Sequence, residues 1–158
     1  LVRIGDTSGK ADPERPEIPG RPTRDGLSYV TTGIIDRASG RVFVNAINRQ
    51  SGQHRFTREY QLQHPLMAIT LLDSDRSGTL YLGVLGELPT GKAEPATQPT
   101  LRIYCLAPLD GRILGQAQLP VVPMPEETFR DFAVPDTGGV LYKQPTPAGI
   151  ILRRLHCQ

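Results

Sequence analysis

The chain contains no tryptophan, two cysteines, two methionines and, by position, three lysines (Lys10, Lys92, Lys143) among 158 residues. These shortages narrow the possibilities. Two cysteines are too few for a disulfide scaffold, and a chain of this length can bury a core without one. No apolar run approaches the roughly 18 residues of a membrane-spanning helix, so none is expected. Charge of one sign is also lacking. With 22% charged residues and a net charge of +2, no field exists to draw nucleic acid or a membrane surface. The 18 basic residues are mostly arginine, which reads as a composition bias. The chain starts on Leu1 with neither an initiator methionine nor a signal-type segment, as expected of a mature product or of part of a longer protein.

Catalytic motifs are equally scarce. There is no Gly-x-Ser-x-Gly elbow and no glycine loop ending in Lys-Ser/Thr, so nucleophilic and phosphoryl-transfer chemistry have no foothold. His54, His64 and His156 are scattered; the adjacent His156 and Cys157 point to opposite faces of a strand and make a poor chelate. Glu126, Glu127 and Asp131 sit in a proline-bounded connection where solvated acids are expected. Arg102, Arg153 and Arg154 read as exposed strand arginines that form at most a small basic patch.

What the sequence has in quantity is proline, glycine and short β-type runs. Residues 1–27 hold Pro13, Pro16, Pro19 and Pro22 at three-residue spacing, the pattern of a polyproline-prone arm or linker. From 28 to 158 an all-β domain is expected, with strands at 29–36, 41–48, 54–62, 66–73, 79–85, 100–106, 112–119, 129–134, 139–144 and 149–156. A polar insertion rich in Pro, Gly and Thr interrupts it at 87–99. The only helical candidate is one turn at 125–129, too short to stand alone.

Three segments echo one another: 34–44 (IIDRASGRVFV), 71–82 (LLDSDRSGTLYL) and 132–142 (FAVPDTGGVLY). Each is an apolar strand, an Asp-containing turn closed by glycine (Gly40, Gly78, Gly139), and a strand with an aromatic three residues on (Phe43, Tyr81, Tyr142). The glycines are expected to supply positive φ and the aromatics to fill space between sheets. This pattern resembles the blades of a secreted bacterial β-propeller, in the broad group of NHL-like, YWTD-like and quinoprotein-like repeats. The resemblance implies blade repeats over 28–158. Two to three blades fall short of the roughly four that close a ring, so a partial propeller and a small β-sandwich or barrel both stay open.

Asp73, Asp75 and Ser77 match the opening of a calcium loop, although Val84 stands where the loop's bidentate Glu belongs; turn chemistry is the competing account. Cys105 and Cys157 are a disulfide candidate. Aligning Leu101 through Cys105 with Arg153 through Cys157 gives the two cysteines equivalent places on successive blades. At that placement a Cα separation under about 7 Å is not expected; in a sandwich they can face each other.

The function this implies is non-catalytic: a protein-interaction or structural subunit of an extracytoplasmic or envelope assembly (periplasm, outer membrane or cell surface), docking on other protein subunits through its sheet surface and its arm. No cofactor is expected beyond the calcium candidate. The alternatives are the C-terminal part of a propeller enzyme, either a quinoprotein dehydrogenase or a glycan-active hydrolase, and a carbohydrate-binding propeller. The resemblance to quinoproteins implies a tryptophan in each repeat, which this chain lacks, and nine Phe and Tyr residues (four and five) are few for a lectin face.

Overall fold

The computed structural model describes residues 18–62, 65–88, 98–119 and 132–157. They form three open antiparallel sheets, each a meander in which chain neighbours pair. The first sheet is β1 (Ile18–Pro22), β2 (Ser28–Asp36), β3 (Arg41–Asn48) and β4 (His54–Gln61). The second is β5 (Leu66–Ser74), β6 (Leu80–Leu88), β7 (Gln98–Leu106) and β8 (Ile113–Leu119), and the third is β9 (Phe132–Ala133), β10 (Val140–Thr146) and β11 (Gly149–Leu155). The expected helical turn at 125–129 lies outside the described residues. No helix among the described residues is long and apolar enough to cross a membrane.

Alternation of side chains sets the layering. The second sheet lies between the other two, so its strands are apolar on both faces and read as near-continuous hydrophobic runs. Leu80, Leu82 and Val84 of β6 and Tyr104 and Leu106 of β7 pack on Val30, Val42, Val44, Phe56 and Tyr60 of the first sheet. The residues between them, Tyr81 of β6 with Leu101, Ile103 and Cys105 of β7, pack on Val134, Val140 and Tyr142 of the third. Phe132 and Tyr142 stack within the third sheet, ring centroids 5.1 Å apart.

The described end of the proline-rich segment is part of the sheet. Ile18–Pro22 pairs antiparallel with β2, and residues 23–27 form the connecting turn, so the sheet begins ten residues before position 28. The prolines hid this strand, because an edge strand tolerates a missing N–H where a central one does not. Residues 1–17 lie outside the described region. The insertion expected at 87–99 is also shorter: Glu87 pairs with Pro99 and Leu88 with Gln98 at the ends of β6 and β7, where the proline lies beyond the pairing of β7 with β8, which reaches Leu101, and 89–97 lie outside.

The sequence echoes also need realignment. The Asp36 turn joins β2 to β3 and lies against the start of β5, where Leu66 N–H donates to the Arg37 carbonyl at 2.8 Å. The Asp73 and Asp136 turns join the first and second strands of their sheets, at the opposite end. Their counterpart in the first sheet is the β1–β2 turn: Gly26 N–H to Thr23 carbonyl (2.9 Å), Gly78 to Asp75 (3.1 Å) and Gly138 to Pro135 (3.0 Å) are the same bond in three copies. A meander places Asp–Gly turns at both ends, and a short motif does not tell one end from the other. Phe43 accordingly faces away from the second sheet. Its ring lies over Gly33, where an added Cβ would come within 2.6 Å of Phe43 Cε1.

Away from those turns, Tyr60 ties β4 to the β7–β8 connection through its hydroxyl, which donates to the Gly111 carbonyl at 2.6 Å. Burial pushes the Tyr60 phenol well above its ordinary value of 10.0. The folded chain therefore keeps this proton to higher pH than the unfolded chain. The stabilisation is complete below pH 10 and is lost as pH rises, by about 1.4 kcal/mol per pH unit for one such group. Urea unfolding followed from about pH 9 to about pH 11.5 is expected to show this decline, and Tyr60→Phe to remove one group's share of the slope.

Candidate docking surface on the third sheet

Three turns converge at one end of the stack and fix the third sheet in place. Thr23 opens the first turn, its hydroxyl accepting from Ser28 N–H at 2.9 Å. Arg24, displayed by that turn, donates to Asp73 at 3.1 Å and Asp136 at 3.0 Å, joining all three sheets through one guanidinium. Its backbone N–H donates to Ser74 Oγ at 2.8 Å. The two carboxylates raise the Arg24 pKa against an opposing desolvation that is the largest single contribution. Side chains this exposed contribute little individually; their value is orientation.

The buried part of the junction is Asp75, 5% exposed. Its Oδ1 accepts from Ser77 N–H (2.9 Å), Ser77 Oγ (2.6 Å) and Thr79 N–H (3.1 Å), while Oδ2 accepts from the Tyr81 hydroxyl (2.9 Å). That hydroxyl oxygen in turn accepts from Gly139 N–H of the third sheet at 2.8 Å. Burial is the main cause that raises the Tyr81 phenol, with the Asp75 carboxylate adding to it. Gly138 has φ 84°, and a Cβ there would stand 3.0 Å from Asp75 Oδ2. Glycine at this position thus serves both the backbone and the close approach.

The calcium candidates Asp73, Asp75 and Ser77 occupy this one turn, but their oxygens face protein donors. Asp73 Oδ2 meets the Arg24 guanidinium, Asp73 Oδ1 accepts from Ser74 N–H at 2.8 Å, and Ser77 Oγ donates to Asp75. Among the described residues no cluster of three or more His, Cys, Asp or Glu is placed to hold a metal ion. In the other Asp turn, Asp36 accepts from Ser39 Oγ at 2.5 Å and Ala38 N–H at 3.0 Å. These bonds, the Ser39 hydroxyl foremost, hold its carboxyl below the usual range.

Cys105 and Cys157 are joined as a disulfide, with Cα atoms 6.1 Å apart. The expectation that blade-equivalent positions lie too far apart rested on the wrong alignment. Tyr81 pairs with Cys105 and Leu141 with Arg154, and the matching glycine turns equate Tyr81 with Leu141. Cys105 therefore corresponds to Arg154, and Cys157 lies three residues further, beyond the end of β11, where the chain reaches the second sheet.

The remaining candidates are not brought together. His54 Nε2 lies 2.9 Å from Thr57 Oγ1, and His156 follows β11; His64, Glu126, Glu127 and Asp131 lie outside the described residues. Arg102 pairs across from Val84, on the side of β7 that faces the first sheet. It borders a groove of about 400 Å³ between the end of β4 and β8, apart from Arg153 and Arg154 on the third sheet.

Tyr142, Val140 and Leu155 of the third sheet face inward, and among the described residues nothing covers the opposite face. Leu141, Ile150 and Leu152 share that face, at 36%, 60% and 72% exposed, beside Lys143 and Arg154. The pairing of Leu141 with Arg154 and of Lys143 with Leu152 puts these side chains on one side. Sequence reading missed this surface because the run of residues 150–152 has the composition of a core strand. No family model, curated protein or solved structure matches the chain.

Proposed function

We propose that the chain is a non-catalytic interaction module whose three sheets are consecutive propeller-like blades, and that it docks on another protein subunit of an extracytoplasmic assembly. The observation that carries this reading is the uncovered aliphatic face of the third sheet. Equivalent faces of the first and second sheets are each covered by the next sheet, so the third displays a surface of the type that sheets in this chain bury against one another. Matching turns at one end of all three sheets support the blade description, and the Cys105–Cys157 bond supports an oxidising compartment.

Leu141, at the centre of that face, provides the test. The wild-type chain is expected to sediment within a larger complex when extracted from the native envelope fraction. Leu141→Asp is expected to release it as a monomer with an unchanged melting temperature. A wild-type chain that sediments alone in that extract removes the reading.

A further inference from the structure

The first two sheets each have four strands and the third has three among the described residues. With the turns aligned, β4 and β8 are corresponding outermost strands, and among the described residues no strand takes that place beside β11. This edge differs from the others in composition. β4 carries exposed polar residues around buried Phe56 and Tyr60, and β8 exposes Ile113 and Leu114 at its start but runs on through Gly115, Gln116, Ala117 and Gln118 to buried Leu119. β11 instead carries Ile150, Ile151 and Leu152 in sequence, at 60%, 44% and 72% exposed. An edge of this kind is a template for another strand, and natural edges are usually blunted against it.

The second sheet supplies the geometry of an occupant. β8 lies antiparallel on β7 from Leu101↔Leu119 to Leu106↔Ile113. Transferred to the third sheet, where Cys105 corresponds to Arg154 and Leu101 to Ile150, that register sets an incoming strand first against Arg154 and Arg153, then against residues 152 to 150. The charge is one-sided. Arg153 Nε donates to Gln144 Oε1 at 2.7 Å, and Arg154 Nη2 to Thr137 Oγ1 at 2.9 Å and to the Gly138 carbonyl at 3.1 Å. Among the described residues no carboxylate pairs with either arginine.

We infer that the β11 edge receives an extended segment of a partner protein, paired antiparallel through its backbone. Two acidic residues at its leading end meet Arg154 and Arg153, and aliphatic residues follow opposite 152–150. The inference builds on the docking role proposed above and gives it a second contact, backbone pairing at the strand edge, which adjoins the Leu141 face and shares Ile150 and Leu152 with it. Backbone pairing supplies affinity, the arginines set direction and register, and the aliphatic residues cover Ile150 and Leu152.

The test uses the oxidised full chain and a fluorescent peptide, Thr-Glu-Glu-Val-Thr-Val-Thr, read by fluorescence anisotropy. Saturable binding is expected. It should weaken about tenfold or more for Arg153→Glu/Arg154→Glu, the effect of reversing close charge pairs. A peptide with Lys-Lys in place of Glu-Glu should bind that variant better than it binds wild type. The same peptide N-methylated at alternate residues should not bind, a control that leaves the protein untouched. Absence of saturation to about 1 mM, or binding indifferent to N-methylation or charge reversal, overturns the inference. So does a wild-type dimer that the arginine substitutions disperse, which would make a second copy the occupant. The docking role is judged separately, by sedimentation of Leu141→Asp.

Discussion

Reduction of the Cys105–Cys157 bond is expected to lower the stability of the chain by about 4 kcal/mol, the chain-entropy value for a cross-link closing a loop of this size. The two cysteines are 52 residues apart. The loop they close contains β8, β9, β10 and β11, so the unfolded chain loses much freedom when it is bonded. The folded state gives the bond particular leverage. The third sheet meets the second through a modest set of residues, chiefly Val134, Val140 and Tyr142, and the bond holds the end of β11 to the same face. Urea unfolding with and without reductant measures the difference, and hydrogen exchange locates it: amides of β10 and β11 should lose protection first on reduction, before those of β6 and β7. A loss under about 1 kcal/mol would mean that contacts alone hold the third sheet.

Much of this architecture was legible from residue alternation. The strand runs from 28 to 119 match the structure to within a few residues because half-buried strands repeat every two residues and glycine or Asp turns end them. β6 was legible as a strand, expected at 79–85; that its run Leu80 through Leu85 is buried on both faces, as a middle layer requires, comes from the packing. β1 was not legible, because Ile18–Pro22 has the composition of a linker and becomes a strand only by pairing with β2.

Turn equivalence was beyond the reach of the sequence for a physical reason. The Asp36 turn and the Asp73 turn have the same local chemistry, a carboxylate accepting from N–H and hydroxyl groups one to four residues on. That chemistry reports a reversal of the chain and carries no information about which end of the stack it lies at. The end is fixed by long-range contacts such as Arg24 to Asp136, which span 112 residues. The disulfide geometry depended on the same alignment, and an offset of three residues separated a bond judged too long from one with ordinary Cα spacing. The docking face and edge depend on the third sheet packing on one face and on β11 pairing along one edge among the described residues, neither of which a local sequence pattern carries.

Asp75→Ala is expected to cost about 3 kcal/mol, because it removes the acceptor that several donors share at a buried carboxylate. Asp75 is 5% exposed, and its carboxylate satisfies two backbone N–H groups and two hydroxyls. Truncation leaves Thr79 N–H and the Tyr81 hydroxyl without that acceptor, and an unmade buried bond costs more than a made one contributes. The loss should spread across the sheet boundary. Tyr81 is oriented by Asp75 and accepts from Gly139 N–H, so a free hydroxyl loosens the third sheet as well as its own turn. Asp75→Asn keeps an acceptor at Oδ1 and should cost about 1 kcal/mol. Combined with Tyr81→Phe in a double-mutant cycle, Asp75→Ala should show coupling of about 1 to 2 kcal/mol, since the two side chains share one bond and each single change removes it. Additive losses in urea unfolding would mean that Asp75 serves its own turn alone, leaving Arg24 and the disulfide to hold the third sheet.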